Sequence, residues 1–352
     1  MTTACLRPTD SVSVTVLIDN SLDHFLLDSG EAMQRPLLSW TDNPVAEHGL
    51  SLCVAFEGSG KRHTVLLDTG LSARTLLRNM DALGVSPDSV EAVILSHGHM
   101  DHTGGLPELL ARRTAGCDLI SHPGAYCRRR LNIPGKGPQP ELPSLDATAL
   151  RAAGANIVTE AGPATWFSDM LLTLGEVERT TDFEKGFPMA EIETDGAWGP
   201  DPFRDDQAIV FHVRDKGLVV ISGCAHAGIV NTVRYAQKVT GVDKVHAVMG
   251  GFHLTGPAFA AVVGPTAAAL REFGARYIIP MHCTGFTATT AMAQALPEEF
   301  LLSSVGTRFT FGVANKDAVG TASSKSRAPR RARGRRTLFP GFPSRARTSS
   351  CR

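Results

Sequence analysis

Residues 95–106 read LSHGHMDHTGGL and set three histidines and an aspartate, His97, His99, Asp101 and His102, within six positions. Histidine is 12 of 352 residues. Chance places this pattern somewhere in such a chain less than roughly once in 700, so it reads as a motif and not as scatter. In an extended segment, residues two apart face the same way, so His97 and His99 can converge on one ion. Asp101 and His102 lie beyond a bend and can face a second ion beside it, with Gly104 and Gly105 letting the backbone turn close by. Imidazole suits zinc, iron and manganese, and a carboxylate favours the harder ions. Two ions about 3.5–4 Å apart can share a hydroxide that is nucleophilic at neutral pH.

Outward from this stretch, short apolar runs alternate with helix-like ones. VSVTVLI (12–18), LSLCVAF (50–56), HTVLLD (63–68), EAVILS (91–96) and CDLISH (117–122) read as strands, and LSARTLLRNMDALG (71–84) and LPELLARR (106–113) as helices. A second series follows. QAIVFHV (207–213), LVVISG (218–223), KVHAVMG (244–250) and RYIIPM (276–281) are predicted strands, with helices at 228–241 and 264–274. Both halves run strand, strand, helix, strand, helix. The predicted fold is α/β, an αββα four-layer sandwich of two similar halves with sheets face to face and helices outside. Residues 122–143 are rich in Pro and Gly and carry Arg128, Arg129 and Arg130. They read as a long irregular loop, either a functional one or a solvated excursion.

The second half supplies further histidines, each just after a strand. His226 lies in SGCAHAGIVN (222–231), His253 in GGFHL (250–254) and His282 in PMHCTG (280–285). All three should reach one sheet edge, where α/β sites collect. The isolated His24, His63, His212 and His246 are assigned to ordinary packing or surface roles. HGHMDH resembles the HxHxDH signature of the metallo-β-lactamase superfamily, and HTVLLDTG (63–70) resembles its earlier motif. The likeness spans roughly residues 12–312.

That resemblance implies one or two divalent ions, zinc first, with iron or manganese as alternatives. It implies His97, His99 and His226 around one ion, and Asp101, His102 and His282 around the other, with Asp68 supporting the ligands from behind. Family members commonly carry Gly-Asp where this chain has Gly223-Cys224. Cys224 therefore packs as a small apolar residue, ligates as a thiolate or serves as a redox-sensitive neighbour. The phrases TVLIDN, EHGLSL, GCAHAGIVN, GGFHL and PMHCTG together resemble the subgroup typified by 7,8-dihydropterin-6-methyl-4-(β-D-ribofuranosyl)-aminobenzene-5′-phosphate synthase.

Composition bounds the rest. Of 35 Lys and Arg, 11 fall in 315–352 beside one acidic residue, Asp317, so 1–314 carries 24 basic and 34 acidic residues and a net charge of about −10. The expected organisation is a metallo-β-lactamase-like domain over 1–314 and a disordered basic tail over 315–352. The seven cysteines include no CxxC pair, which suits a reducing compartment. Neither a signal peptide nor an apolar run of spanning length is seen, so the expectation is a cytoplasmic protein without membrane contact. The tail is the only ground for nucleic-acid binding, and the sequence does not fix an oligomeric state.

The functional expectation is a metal-dependent hydrolase. A metal-bound hydroxide would attack an ester, lactone or phosphodiester of a small anionic substrate, with Asp101 and His253 as catalytic groups and Arg128 to Arg130 holding the anion. The alternatives are a carbon–carbon bond-forming pterin synthase and a non-catalytic metal-binding sensor.

Overall fold

The computed structural model describes residues 4–313; the tail expected to be disordered, 315–352, lies outside them. Two sheets face each other. The first has eight strands in the order Met33–Gln34, Arg308–Gly312, Ser11–Ile18, Ser51–Gly58, Lys61–Leu67, Ala92–Ile94, Cys117–Ser121, Ala155–Thr159. The second has six, in the order Ala164–Trp166, Leu171–Thr173, Ala208–Val213, Gly217–Ser222, Val245–Gly251, Tyr277–Met281. The echo between the halves extends to strand direction. Ser51–Gly58 pairs antiparallel with Lys61–Leu67, which continues in parallel to Ala92–Ile94 and Cys117–Ser121. Ala208–Val213 pairs antiparallel with Gly217–Ser222, which continues in parallel to Val245–Gly251 and Tyr277–Met281.

Alternation along each strand explains the layering. Val65 and Leu67 face the opposing sheet while Leu66 faces the helices outside. Val219 and Ile221 likewise point between the sheets, and Leu218 and Val220 point outward. Strands buried on both faces read as continuous apolar runs, which is why the sequence shows them plainly. Three apolar layers result, one between the sheets and one under each set of helices, the packing an αββα sandwich requires.

Residues 122–143 are not an irregular loop. Arg129–Ile133 and Gly137–Glu141 form a hairpin in a third sheet of four strands, with Ala190–Thr194 and Ala197–Pro200. Gly104 and Gly105 also serve differently than expected. Both have helical φ values, −65° and −84°. A Cβ on Gly104 would collide with the Leu71 carbonyl, so close approach and not turning requires the glycine.

Candidate metal centre

Parallel strands deliver the site. Asp68 follows Lys61–Leu67, and His97 and His99 follow Ala92–Ile94. Cys224 and His226 follow Gly217–Ser222, His253 follows Val245–Gly251, and His282 follows Tyr277–Met281. Four of these exits turn through a left-handed residue that is not glycine: Asp68 (φ 62°), Ala225 (52°), His253 (44°) and His282 (47°). Such backbone is costly for an L-residue and persists where surrounding structure enforces it.

His97, His99, His102, His226 and His282 come together with Asp101 and Cys224. The Nε2 atoms of His97 and His226 lie 3.3 Å apart, as do those of His102 and His282. Asp101 Oδ2 stands 3.2 Å from His282 Nε2 and 3.9 Å from His102 Nε2. Two ligand atoms at about 2.05 Å from a tetrahedral ion stand about 3.3 Å apart, so these separations suit a shared cation.

Hydrogen bonds behind the rings support that reading. Asp68 is fully buried; its Oδ1 accepts from Ser96 N at 2.8 Å. Its Oδ2 accepts from Ser96 Oγ at 2.6 Å and from His102 Nδ1 at 2.7 Å. With the Ser96 hydroxyl proton committed to Asp68, Ser96 Oγ accepts from His97 Nδ1 at 2.9 Å. Asn20 Oδ1 accepts from His282 Nδ1 at 3.1 Å. Nδ1 is thus the donor in all three rings; His97 and His282 aim a lone pair from Nε2 at the cluster centre, and His102, whose second proton the neighbouring carboxylates hold, offers the same atom once a metal ion displaces that proton. A cation between nitrogens that face each other across 3.3 Å, a proton or a metal ion, satisfies both. His99 Nε2 is buried with no hydrogen-bond partner, a cost that a bound cation would remove.

Electrostatics follow the packing. Burial lowers the pKa of His97, His226 and His99, the last to about 3. Burial opposes a charge on His102 as well, but Asp68 and Asp101 outweigh it and raise the pKa to about 9. Burial disfavours the Asp101 carboxylate, yet His102, His282 and His48 around it hold its pKa far below the usual range.

Several contributors escaped the sequence reading. His48, in the EHGLSL phrase, places Nε2 3.4 Å from Asp101 Oδ2 and its ring against His282. Phe203 stacks on His226 with ring centres 4.1 Å apart. The segment 205–207 ties both donor loops together: Asp205 Oδ2 accepts from Gly98 N at 2.9 Å, Asp206 Oδ2 accepts from Ala227 N at 2.9 Å, and Gln207 N donates to Ser96 O at 2.9 Å. Burial pushes the Asp206 carboxyl up to about 7. Cys283, beside His282, sits within the cluster too. No periodicity marks these residues, because they act on loops that only the fold brings together.

The arginines depart from expectation. Arg129 is buried and its Nε and Nη2 donate to Asp201 and Asp205, each at 2.7 Å, so it braces the His97–His99 loop and is not presented to a substrate. Arg128 pairs with Glu141 and Glu193, and Arg130 with Glu191 while lying over Trp198. Carboxylates of the protein pair with all three, while Arg129 Nη1 stays buried without a partner. His253 stands beside the cluster, its ring 4.2 Å from that of His226, with Nδ1 buried and unpartnered. His24, His63, His212 and His246 lie outside the cluster.

A family model described as the metallo-beta-lactamase superfamily matches residues 46–236. The chain belongs to that superfamily. Among its relatives is the 7,8-dihydropterin-6-methyl-4-(beta-D-ribofuranosyl)-aminobenzene-5′-phosphate synthase of Methanocaldococcus jannaschii, 32% identical over 259 residues, with 72% of this chain and 87% of the relative covered. An uncharacterized protein of the same organism is 30% identical over 254 residues, covering 71% of this chain and 88% of its own. A solved structure described as a metal-dependent hydrolase of the beta-lactamase superfamily overlays with a TM-score of 0.64 at 23% identity, over 86% of this chain and 100% of its own, and shares the fold. No helix among the described residues is long and apolar enough to cross a membrane.

Proposed function

We propose that this enzyme is a metal-dependent hydrolase acting on an ester, lactone or phosphodiester bond of a small anionic substrate. The observation that carries the reading is the pair of adjacent donor sets: His97, His99 and His226 form one, and Asp101, His102 and His282 the other. Divalent ions held there, zinc first among them, supply Lewis acidity and water ionised at neutral pH. Asp101, fixed by His48, His102 and His282, keeps a full negative charge in the second set. In this reading His253, whose Nδ1 has no protein partner and whose ring stands beside that of His226, passes a proton to the leaving group.

A cavity of about 180 Å³ opens beside His226 and His253, walled by Phe183, Phe252, Phe259 and Val262. Lys185 lines it and offers a positive charge to an anionic group, the part that the paired arginines do not take. A panel of lactones, thioesters and phosphodiesters, assayed with zinc-loaded and chelator-treated protein, tests the proposal. Hydrolysis that requires the ion and falls at least about 100-fold in Asp101→Ala supports it. Equal rates with and without the ion contradict it.

The aromatic walls of that cavity favour one second reading. They suit a planar ring, and a relative is named as the synthase of a compound that contains a dihydropterin and a ribofuranosyl-aminobenzene phosphate. Mass analysis after incubation with those two kinds of substrate separates a condensation product from hydrolysis.

A further inference from the structure

Two thiols stand where the two donor sets meet. Cys224 Sγ is 3.1 Å from His102 Nε2. The same sulfur lies within 4.8 Å of donor atoms on His97 and His102, on His226 and His253, and on His282 and Cys283. It therefore reaches both sets from one position, as a shared ligand must. Cys283 follows His282 on a short turn and is held there by its carbonyl, which accepts from Leu254 N at 3.1 Å and Thr255 N at 3.2 Å. A Cβ on Gly251 would come within 2.6 Å of Cys283 Sγ, so the strand end leaves room for that sulfur. Both cysteines are buried, yet neither belongs to the three apolar clusters, in contrast to Cys53 and Cys117. A cysteine that only packs sits among hydrocarbon, as those two do.

We infer that Cys224 and Cys283 are thiolate donors which, with His282, make the second donor set soft, and that Cys224 is shared with the first set. The inference rests on the metal-centre reading above. Each thiol releases its proton to solvent as the ion binds, and the sulfur lone pair forms the new bond. Sulfur ligation in place of a bridging carboxylate selects zinc or cobalt over manganese and magnesium.

The test uses the full chain, stripped of metal under reducing conditions and titrated with cobalt(II). Two ions per chain with a near-ultraviolet thiolate-to-cobalt charge-transfer band are expected. Cys224 bonded to both ions and Cys283 to one make three cobalt–sulfur bonds, so the band should fall by about a third in Cys283→Ser and vanish in the Cys224→Ser/Cys283→Ser double variant. A wild-type chain that binds cobalt without this band overturns the inference and leaves the histidine centre standing. A band unchanged in Cys283→Ser also overturns it. A chain that binds no cobalt overturns the metal-centre reading itself. Competition in the unaltered protein provides a second measure, independent of any variant's folding. Cadmium, the softer ion, should displace zinc at equal concentration, and zinc retained against cadmium contradicts a sulfur-rich set.

Discussion

Asp68 fixes one ring directly and another through Ser96, so a single buried carboxylate sets the tautomer of both His102 and His97. Removing such a support typically lowers metal affinity about 10–100-fold. Asp68→Ala should show that loss in a zinc titration while the fold persists, and unchanged affinity would sever the link between Asp68 and the donors. Arg129 acts one step further back. Its loss leaves Asp201 and Asp205 buried without their cation, a change that costs about 3–5 kcal/mol. Arg129→Met should lower the urea midpoint accordingly, with Arg129→Lys falling between. The residues that gather in the candidate cluster were legible in the sequence because HxHxDH is local and His226 and His282 each follow a strand. Asp205, His48 and Cys283 were not, because their partners lie far along the chain and only the fold joins them.

The central strands of both large sheets were legible as elements because burial on two faces demands unbroken apolar runs, whereas Met33–Gln34, Ala155–Thr159, Ala164–Trp166, Leu171–Thr173 and Arg308–Gly312, short or interrupted by polar residues, were not. The hairpin Arg129–Ile133 and Gly137–Glu141 was hidden for the opposite reason. Its strands are charged and proline-bearing, and its partners are joined by the Arg128–Glu141 and Arg130–Glu191 pairs in place of apolar alternation. The helix Ile229–Thr240, which follows the His226 loop, shows how an element end is held. Glu184 accepts from Val230 N and Asn231 N, each at 2.9 Å, capping the first turn from a distant segment. Gly228, at φ 100°, stands so close that a Cβ would collide with the Glu184 carboxylate. Gly228→Ala therefore combines backbone strain of about 1–3 kcal/mol with displacement of the cap. A clear drop in melting temperature is expected, and an unchanged one would contradict this account of the helix start.

Across the whole molecule, two similar halves contribute opposite sides of one cluster, and the apolar layer between the sheets holds those sides together. His246 reports on that layer. Its ring packs edge-on against Tyr277 and Phe311, and burial lowers its pKa to about 4. The unfolded imidazole titrates near 6.5. The neutral form is therefore favoured in the fold, and its contribution is complete above about pH 6.5 and lost as pH falls toward 4. In the metal-free chain, His246→Leu should flatten the loss of stability across that window, read from urea midpoints at several pH values. An equally steep decline would mean that His246 protonates without cost to the fold.

The central claim is that imidazoles supplied by both halves bind shared divalent ions. Elemental analysis of the chain purified without added metal tests it most directly. About two divalent ions per chain, or one firmly held and a second taken up from added zinc, is the predicted result. A folded chain that carries no divalent ion and takes up none when zinc is supplied would contradict it.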